Sequence, residues 1–179
     1  MMTTDSYRIY MTGIPADDRP RRAREEESKL TLLREAFGDT AELSHDMFGA
    51  PYLCSHPGTH ISLSHSTDTC VLAVSDTPIG VDIENWRPQL SRVAKKFLTR
   101  DELDRLENIA DEGTKASFLL KMWTAKEATF KASQQSGLVL SEISVSSDMA
   151  HAEAHGAIFD ITYPLLTPER VISVSVPLG

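Results

Sequence analysis

Apolar and polar residues recur with two different periods along the chain, and the longer period predicts helices. Residues 16–37 carry apolar side chains at helical spacing with charged residues between them. Residues 114–136 form a long run without Pro or Gly, which predicts a second long helix ended by Gly137. Between them, residues 88–107 predict two shorter helices, the second beginning at a capping box on Thr99.

The shorter period, strict alternation, predicts strands. A strand is expected near residues 61–63, and residues 70–76 and 79–84 alternate around a Thr-Pro turn, which predicts a β-hairpin. The C-terminal part adds three β-branched segments, at 140–147, 156–163 and 170–176. Each half of the chain thus combines helices with a few short strands.

This distribution predicts an α+β fold of two similar lobes, each with helices packed on a small antiparallel sheet. We expect an N-terminal lobe at 1–88 and a C-terminal lobe at 89–179, forming one compact unit with the functional site between them. The 179 residues are 41% hydrophobic and 25% charged, which is ordinary for a globular protein with a buried core.

Composition excludes several classes of function. The formal net charge of -8 argues against sequence-independent nucleic-acid binding, which depends on a basic surface. No apolar run reaches the ~18 residues that a membrane span needs, and the N-terminus lacks the pattern of a signal peptide. Two cysteines, Cys54 and Cys70, do not indicate a disulfide framework, so we expect a cytoplasmic protein.

Two acidic residues within an otherwise apolar strand are the first candidate chemistry. Because side chains alternate along a strand, Asp82 and Glu84 share one face, with Cα atoms about 6.5 Å apart. Two like charges at this distance repel each other unless a cation lies between them. The alternative is an edge strand whose polar face lies in water. On the second long helix, Glu127 and Lys131 are one turn apart, which is equally compatible with a surface ion pair.

Together these residues favour a site for a divalent cation and a phosphate. Asp82, Glu84 and Glu127 are the hard oxygen ligands that Mg²⁺ prefers, and Mn²⁺ would also suit them. Ser64 and His65, in "SLSHS", could donate hydrogen bonds to phosphate oxygens. A basic group at the start of the first helix is either a solvated helix end or an anion site; it comprises Arg19, Arg21, Arg22 and Arg24.

The ordered motifs "SLSHS", "GVDIE", "KKFLTRDE" and "WTAKEATFK" resemble those of the 4′-phosphopantetheinyl transferase superfamily, in its pseudodimeric, surfactin-synthetase-activating type. The match runs from about residue 51 to residue 137. The positions that carry it are Gly80, Asp82, Glu84, Glu102, Trp123, Lys126, Glu127 and Lys131. The resemblance implies transfer of phosphopantetheine from coenzyme A to a serine of an apo acyl or peptidyl carrier protein, with release of adenosine 3′,5′-bisphosphate. Such carriers serve fatty-acid, polyketide and nonribosomal-peptide synthesis.

The resemblance also implies roles for single residues. Asp82, Glu84 and Glu127 would bind Mg²⁺, and Lys131 would contact the pyrophosphate and assist the leaving group. Ser64, His65 and, among the basic residues, Arg22 would bind phosphates of coenzyme A. Glu127 or a metal-bound water would take the proton of the carrier serine. Glu102 is explained by the capping box alone. A departure is Ala50, where many relatives carry a basic residue that approaches the donor.

A basic segment is a candidate surface for the partner. Residues 91–100 contain Arg92, Lys95, Lys96 and Arg100 and no acidic residue. With Trp86 and Leu90, this segment is predicted to dock the acidic carrier; the alternative is an ordinary solvated helix. We expect a monomer that binds neither nucleic acid nor membrane. The competing function is a non-catalytic relative that binds coenzyme A or a carrier without transferring anything.

Overall fold

A computed structural model describes residues 1–4 and 6–179 of the protein. In this part of the chain the helices are α1 (Arg21–Phe37), α2 (Gln89–Phe97), α3 (Arg100–Glu107) and α4 (Glu112–Ser133), with a 3₁₀ turn at Leu140–Glu142. The strands are β1 (Met2–Thr3), β2 (Tyr7–Gly13), β3 (Leu43–His45), β4 (Pro51–Leu53), β5 (His60–His65), β6 (Thr69–Ser75), β7 (Gly80–Asn85), β8 (Ser144–Val145), β9 (His151–Ala154), β10 (Ala157–Leu166) and β11 (Arg170–Pro177).

Two antiparallel sheets pack face to face, and one long helix covers the outer face of each. The first sheet has the order β1-β2-β6-β5 and the second the order β7-β11-β10-β9-β8. Apolar side chains of β2, β6, β7 and β11 form the core between the sheets. α1 packs on β2 and β6, and α4 packs on β7 and β11. The predicted α+β fold, with a helix on each small antiparallel sheet, is confirmed; the boundary at residues 88 and 89 stays a prediction.

The predicted helices form, with changes at their ends. α1 begins at Arg21, directly after Pro20. The capping box is confirmed, because the Thr99 hydroxyl accepts from the Glu102 amide and the Glu102 carboxylate accepts from the Thr99 amide. The prediction that Gly137 ends the long helix is wrong: α4 ends at Ser133, and Gln134 takes the left-handed conformation with φ 51°. None of the helices within the described residues combines the length and apolar character needed to cross a bilayer.

The predicted hairpin of β6 with β7 is wrong. β6 lies between β2 and β5, so both of its edges are already paired, and β7 instead pairs with β11. β7 approaches β5 through serine side chains rather than through a backbone ladder. The Ser62 hydroxyl accepts from the Val81 amide at 3.0 Å, and the Ser64 hydroxyl accepts from the Ile83 amide at 3.3 Å. β7 is therefore the strand at which the two sheets meet.

Gly80 allows β7 to lie unusually close to α4. A Cβ atom at this position would stand 1.8 Å from the carbonyl oxygen of Ala128 and 2.7 Å from the amide nitrogen of Ala132. Both neighbours are backbone atoms in the middle of a helix, so neither can turn aside as a flexible side chain could. The close packing of strand and helix consequently requires glycine.

We expect Gly80→Ala to destabilise the protein by about 3 kcal/mol or more, because α4 must move away from β7 to make room for the methyl group. Gly13→Ala is the matched control: its new Cβ would meet only the Asp68 carbonyl oxygen at 3.9 Å, an ordinary contact. The control should change stability by no more than about 1 kcal/mol. Urea unfolding of both variants measures the difference, and equal stability of the two would contradict the packing described.

Candidate functional site

The seam between β7 and α4 joins Asp82 to Lys131. Asp82 is 7% exposed, and its Oδ1 accepts from the Lys131 ammonium and from the Ser64 hydroxyl, at 2.9 and 2.8 Å. Lys131 also donates to the carbonyl oxygen of Val81 at 2.9 Å. The second carboxylate oxygen of Asp82, Oδ2, accepts no hydrogen bond from any described residue. A lysine has three N–H donors, so one donor of Lys131 remains free for a further acceptor.

Glu127 faces the same seam one turn earlier on α4. Its carboxylate forms no hydrogen bond or ion pair within residues 1–4 and 6–179. Burial, followed by the nearby charge of Asp82 and that of Glu84, raises the pKa of the Glu127 carboxyl, and Lys131 only partly opposes this. Glu127 is thus a half-buried carboxyl group with both oxygens available.

Glu84 is held differently from the other two acids. Its Oε2 accepts from the Arg87 guanidinium at 2.7 Å, and its Oε1 accepts from the Asn85 amide at 3.0 Å. Burial raises the pKa of the Glu84 carboxyl; Arg87 lowers it and Asp82 adds a smaller increase. Sequence reasoning missed Arg87, although its position three residues after Glu84, just beyond the strand, was a signal that the two could pair.

The three acids share one region and fit a divalent cation by their chemistry. Carboxylate oxygens are the ligands that Mg²⁺ favours, and Mg²⁺ is commonly held by only one or two carboxylates with water and phosphate. Two of the acids, Asp82 and Glu127, offer unpaired oxygens. As the side chains stand, however, the described residues include no group of three or more His, Cys, Asp or Glu placed to hold a metal ion. Arg87 and Lys131 are the cations that pair with this acidic group.

A cleft of about 400 Å³ opens beside Lys131. Its walls are the segment 46–51, part of β5, and the residues at the end of α4 and just beyond it. A second cavity of about 270 Å³ shares Asp46, Ala50, Pro51, Ile61 and Gln134 with it, so the two adjoin. Among the described residues that line these cavities, Lys131 is the single Lys or Arg. A volume of this size suits a small-molecule ligand.

The residues predicted to bind phosphate occupy different surroundings. Ser64 is buried, and the only hydrogen of its hydroxyl is donated to Asp82. His65 is exposed, with Nδ1 3.6 Å from the carboxylate of Glu25, which Arg21 also contacts at 2.6 Å. Arg22 is exposed in the first turn of α1, and its side chain has no ion pair or hydrogen bond with another described residue. The structure brings Ser64, Asp82 and Lys131 together, and it does not place Arg22 in that group.

The basic segment around α2 is mostly exposed. Arg92, Lys95 and Lys96 are exposed and have no acidic partner in the described part of the chain, whereas Arg100 pairs with Asp104 at 3.3 Å. Leu90 does not belong to this surface. It is 1% exposed because it packs into the core beneath α2, so its predicted role in docking a partner is wrong.

Comparison with known proteins finds similarity to one family. A sequence model described as "4'-phosphopantetheinyl transferase superfamily" matches residues 78–164, which include β7 and α4. A 4'-phosphopantetheinyl transferase of Bacillus subtilis is 33% identical over 105 residues, covering 56% of this chain and 46% of that protein. The 4'-phosphopantetheinyl transferase AcpT of Salmonella typhi is 32% identical over 124 residues, covering 68% of this chain and 63% of that protein.

The chain is similar to members of the 4′-phosphopantetheinyl transferase superfamily. It spans less than two thirds of the length of either relative. A crystal structure of a holo-(acyl-carrier-protein) synthase from Bacillus anthracis in complex with coenzyme A is 17% identical, with a TM-score of 0.49 over 56% of this chain and 95% of that one.

One charged motif residue, Lys126, is structural. The Lys126 side chain is fully buried and pairs with Glu102, itself 2% exposed, at 2.6 Å. Lys126 also donates to the carbonyl oxygens of Leu140 and Ile143, and Glu102 accepts from the Val145 amide. Burial lowers the pKa of Lys126. The pair joins α3, α4 and the chain after α4, away from the acids of the seam.

Replacing Lys126 should therefore cost stability. We expect Lys126→Met to lower the free energy of unfolding by about 3–5 kcal/mol, because Glu102 is left as a buried unpaired charge. The double variant Lys126→Met with Glu102→Leu should recover part of that loss, because it removes the unpaired charge as well. Lys115→Met on the same helix removes an exposed pair with Glu112 and should cost less than about 1 kcal/mol. Denaturant unfolding of the wild type and of the three variants measures these free energies. A Lys126→Met protein as stable as the wild type would argue for a catalytic lysine instead.

Proposed function

We propose that this protein transfers the 4′-phosphopantetheine group from coenzyme A to a serine hydroxyl of an apo acyl or peptidyl carrier protein, with Mg²⁺ and with release of adenosine 3′,5′-bisphosphate. The observation that carries the proposal is the meeting of Asp82, Glu127 and Lys131 at the seam of β7 and α4, with Lys131 also lining the neighbouring cleft. Similarity to the superfamily supports the same reaction.

The metal site of this proposal consists of Asp82, Glu84 and Glu127. When bound, Mg²⁺ would neutralise charge on the oxygens of the pyrophosphate. The unpaired oxygens of Asp82 and Glu127 would be the first available to it, and at Glu84 it would compete with Arg87. Mn²⁺ prefers the same kind of ligand and is a suitable replacement in experiments.

Lys131 and Glu127 would bind the leaving group and accept the proton, respectively. The carrier serine oxygen forms a bond to the phosphorus that bears pantetheine, and the bond from that phosphorus to the bridging oxygen breaks. Lys131, held by Asp82 and Val81, has a free N–H donor that can bind the departing phosphate. Glu127 would accept the serine proton through one carboxylate oxygen while the other holds the metal, because neither oxygen is hydrogen-bonded to another described residue.

The two adjoining cavities are the proposed site of coenzyme A. An elongated donor can lie along their shared wall at 46–51 and present its pyrophosphate to Lys131. His65, which is exposed, is available to a phosphate oxygen through Nε2. Ser64 can donate to phosphate only by releasing Asp82, and its contact with the donor, like that of Arg22, stays a prediction.

Intact-mass analysis of apo carrier proteins tests the proposal. With coenzyme A and Mg²⁺, the wild-type chain should add one phosphopantetheine group to at least one acyl or peptidyl carrier. Glu127→Gln and Asp82→Asn should each slow the reaction by at least about 100-fold. Glu112→Gln, the same change at an exposed residue in the first turn of α4, should leave the rate unchanged.

The outcome separates this function from its competitor. Tight binding of coenzyme A in calorimetry without modification of any carrier would show the non-catalytic relative instead. A Glu127→Gln protein with the wild-type rate would refute the role given to the seam.

The exposed basic residues of α2 are the proposed docking surface for an acidic carrier. Lys95→Glu with Lys96→Glu should raise the KM for the carrier about tenfold through charge repulsion, while coenzyme A binding stays the same. Kinetics at varied carrier concentration measure this, and an unchanged KM would remove α2 from the interface.

A further inference from the structure

Arg87 forms an ion pair with Glu84, one of the proposed metal ligands. Its guanidinium donates to Glu84 Oε2 at 2.7 Å, while the Glu84 side chain is 17% exposed and that of Arg87 is 50% exposed. The other oxygen of Glu84 accepts from the amide that follows it. Both oxygens of Glu84 are therefore engaged, which distinguishes Glu84 from Asp82 and Glu127.

The backbone around Arg87 is firmly held, so this contact is built into the fold. The Trp86 amide donates to the carbonyl oxygen of Glu169, and the Asn85 side chain accepts from Arg170. Pro88 follows, and the carbonyl oxygen of Arg87 accepts from the Leu90 amide at the start of α2. The turn from β7 into α2 thus presents Arg87 to Glu84 from a fixed position.

We infer that Arg87 is a positioning residue that competes with the divalent cation for Glu84. This inference rests on the proposed function, because it concerns the metal site of that reaction. In the arrangement observed, a cation reaches Asp82 and Glu127 at unpaired oxygens, whereas both oxygens of Glu84 already accept a hydrogen bond and one of them pairs with the guanidinium, which competes with the cation. Arg87 therefore weakens cation binding through its ion pair with Glu84.

The effect of Arg87 on the affinity for the cation is expected to be small. A partly exposed ion pair contributes little free energy, so a divalent cation can displace Arg87, and removing Arg87 should tighten cation binding only about fivefold. Arg87→Met removes the guanidinium and keeps an unbranched side chain. Arg87→Lys keeps a positive charge but loses the planar donor pair, so its cation affinity should lie between those of the wild type and Arg87→Met.

Mn²⁺ binding to the full chain, followed by the EPR signal of free Mn²⁺, tests the inference without any turnover. Arg87→Met should lower the Kd for Mn²⁺ about fivefold. In a chain that also carries Glu84→Gln, the same substitution should change the Kd less than about twofold, because the competition acts through Glu84. Circular dichroism of each variant verifies that it is folded.

The Kd values for Mn²⁺ test the inference and the proposed function separately. An unchanged or raised Kd in Arg87→Met overturns the competition, and so does an equal effect with and without Glu84→Gln, which would indicate only long-range charge. Either result leaves the transfer reaction standing, since Mn²⁺ still binds. A wild-type chain that binds no Mn²⁺ overturns both the inference and the metal-dependent function.

Discussion

The close contact between β7 and α4 determines where the charged groups of the site lie. At Gly80 the strand meets the helix backbone near Ala128 and Ala132. Asp82 is the next residue on the same strand face, so it also faces α4, where it pairs with Lys131. Glu84 follows in the same direction. A glycine without a side chain thus allows the strand to present two acids to a helix that carries a third.

Hydroxyl groups hold β7 and its neighbours at this distance. Thr124 and Thr129 on α4 bond to Ser173 and Ser175 on β11, at 2.6 and 3.0 Å, in the buried layer between helix and sheet. On the other side of β7, Ser62 and Ser64 accept from its amides. Ser64 also donates to Asp82, so the same hydroxyl joins two strands and orients a proposed metal ligand. Buried polar groups that are fully bonded favour one arrangement over its alternatives.

Local sequence patterns predicted much of the fold and of the site. Alternation placed Asp82 and Glu84 on one strand face, helical spacing placed Glu127 near Lys131, and the capping box located the start of α3. The partner of β7 could not be predicted in this way. β6 and β7 both alternate around a short turn, as a hairpin does, whereas the true partner β11 lies about 90 residues later and is selected by packing between the sheets.

The contacts of two basic residues, Lys126 and Arg87, could not be predicted from local patterns in the sequence. Helical spacing puts Lys126 in line with Leu119 and Met122, on the apolar side of α4, which is a sign of a buried lysine with a hidden acidic partner. The capping role of its partner Glu102 already accounted for that residue, so a second role in pairing with Lys126 was not expected. Arg87 lies outside any periodic element, and its contact with Glu84 depends on the turn that the β10–β11 connection fixes.

We propose that Asp82 and Glu127, brought together by this strand and helix, hold one divalent cation. Anomalous diffraction from crystals grown with Mn²⁺ and coenzyme A tests it directly. We expect a single strong peak within about 2.5 Å of carboxylate oxygens from both residues, next to the diphosphate of the ligand. A peak that touches only one of them, or that lies on acids elsewhere on the protein, would contradict it.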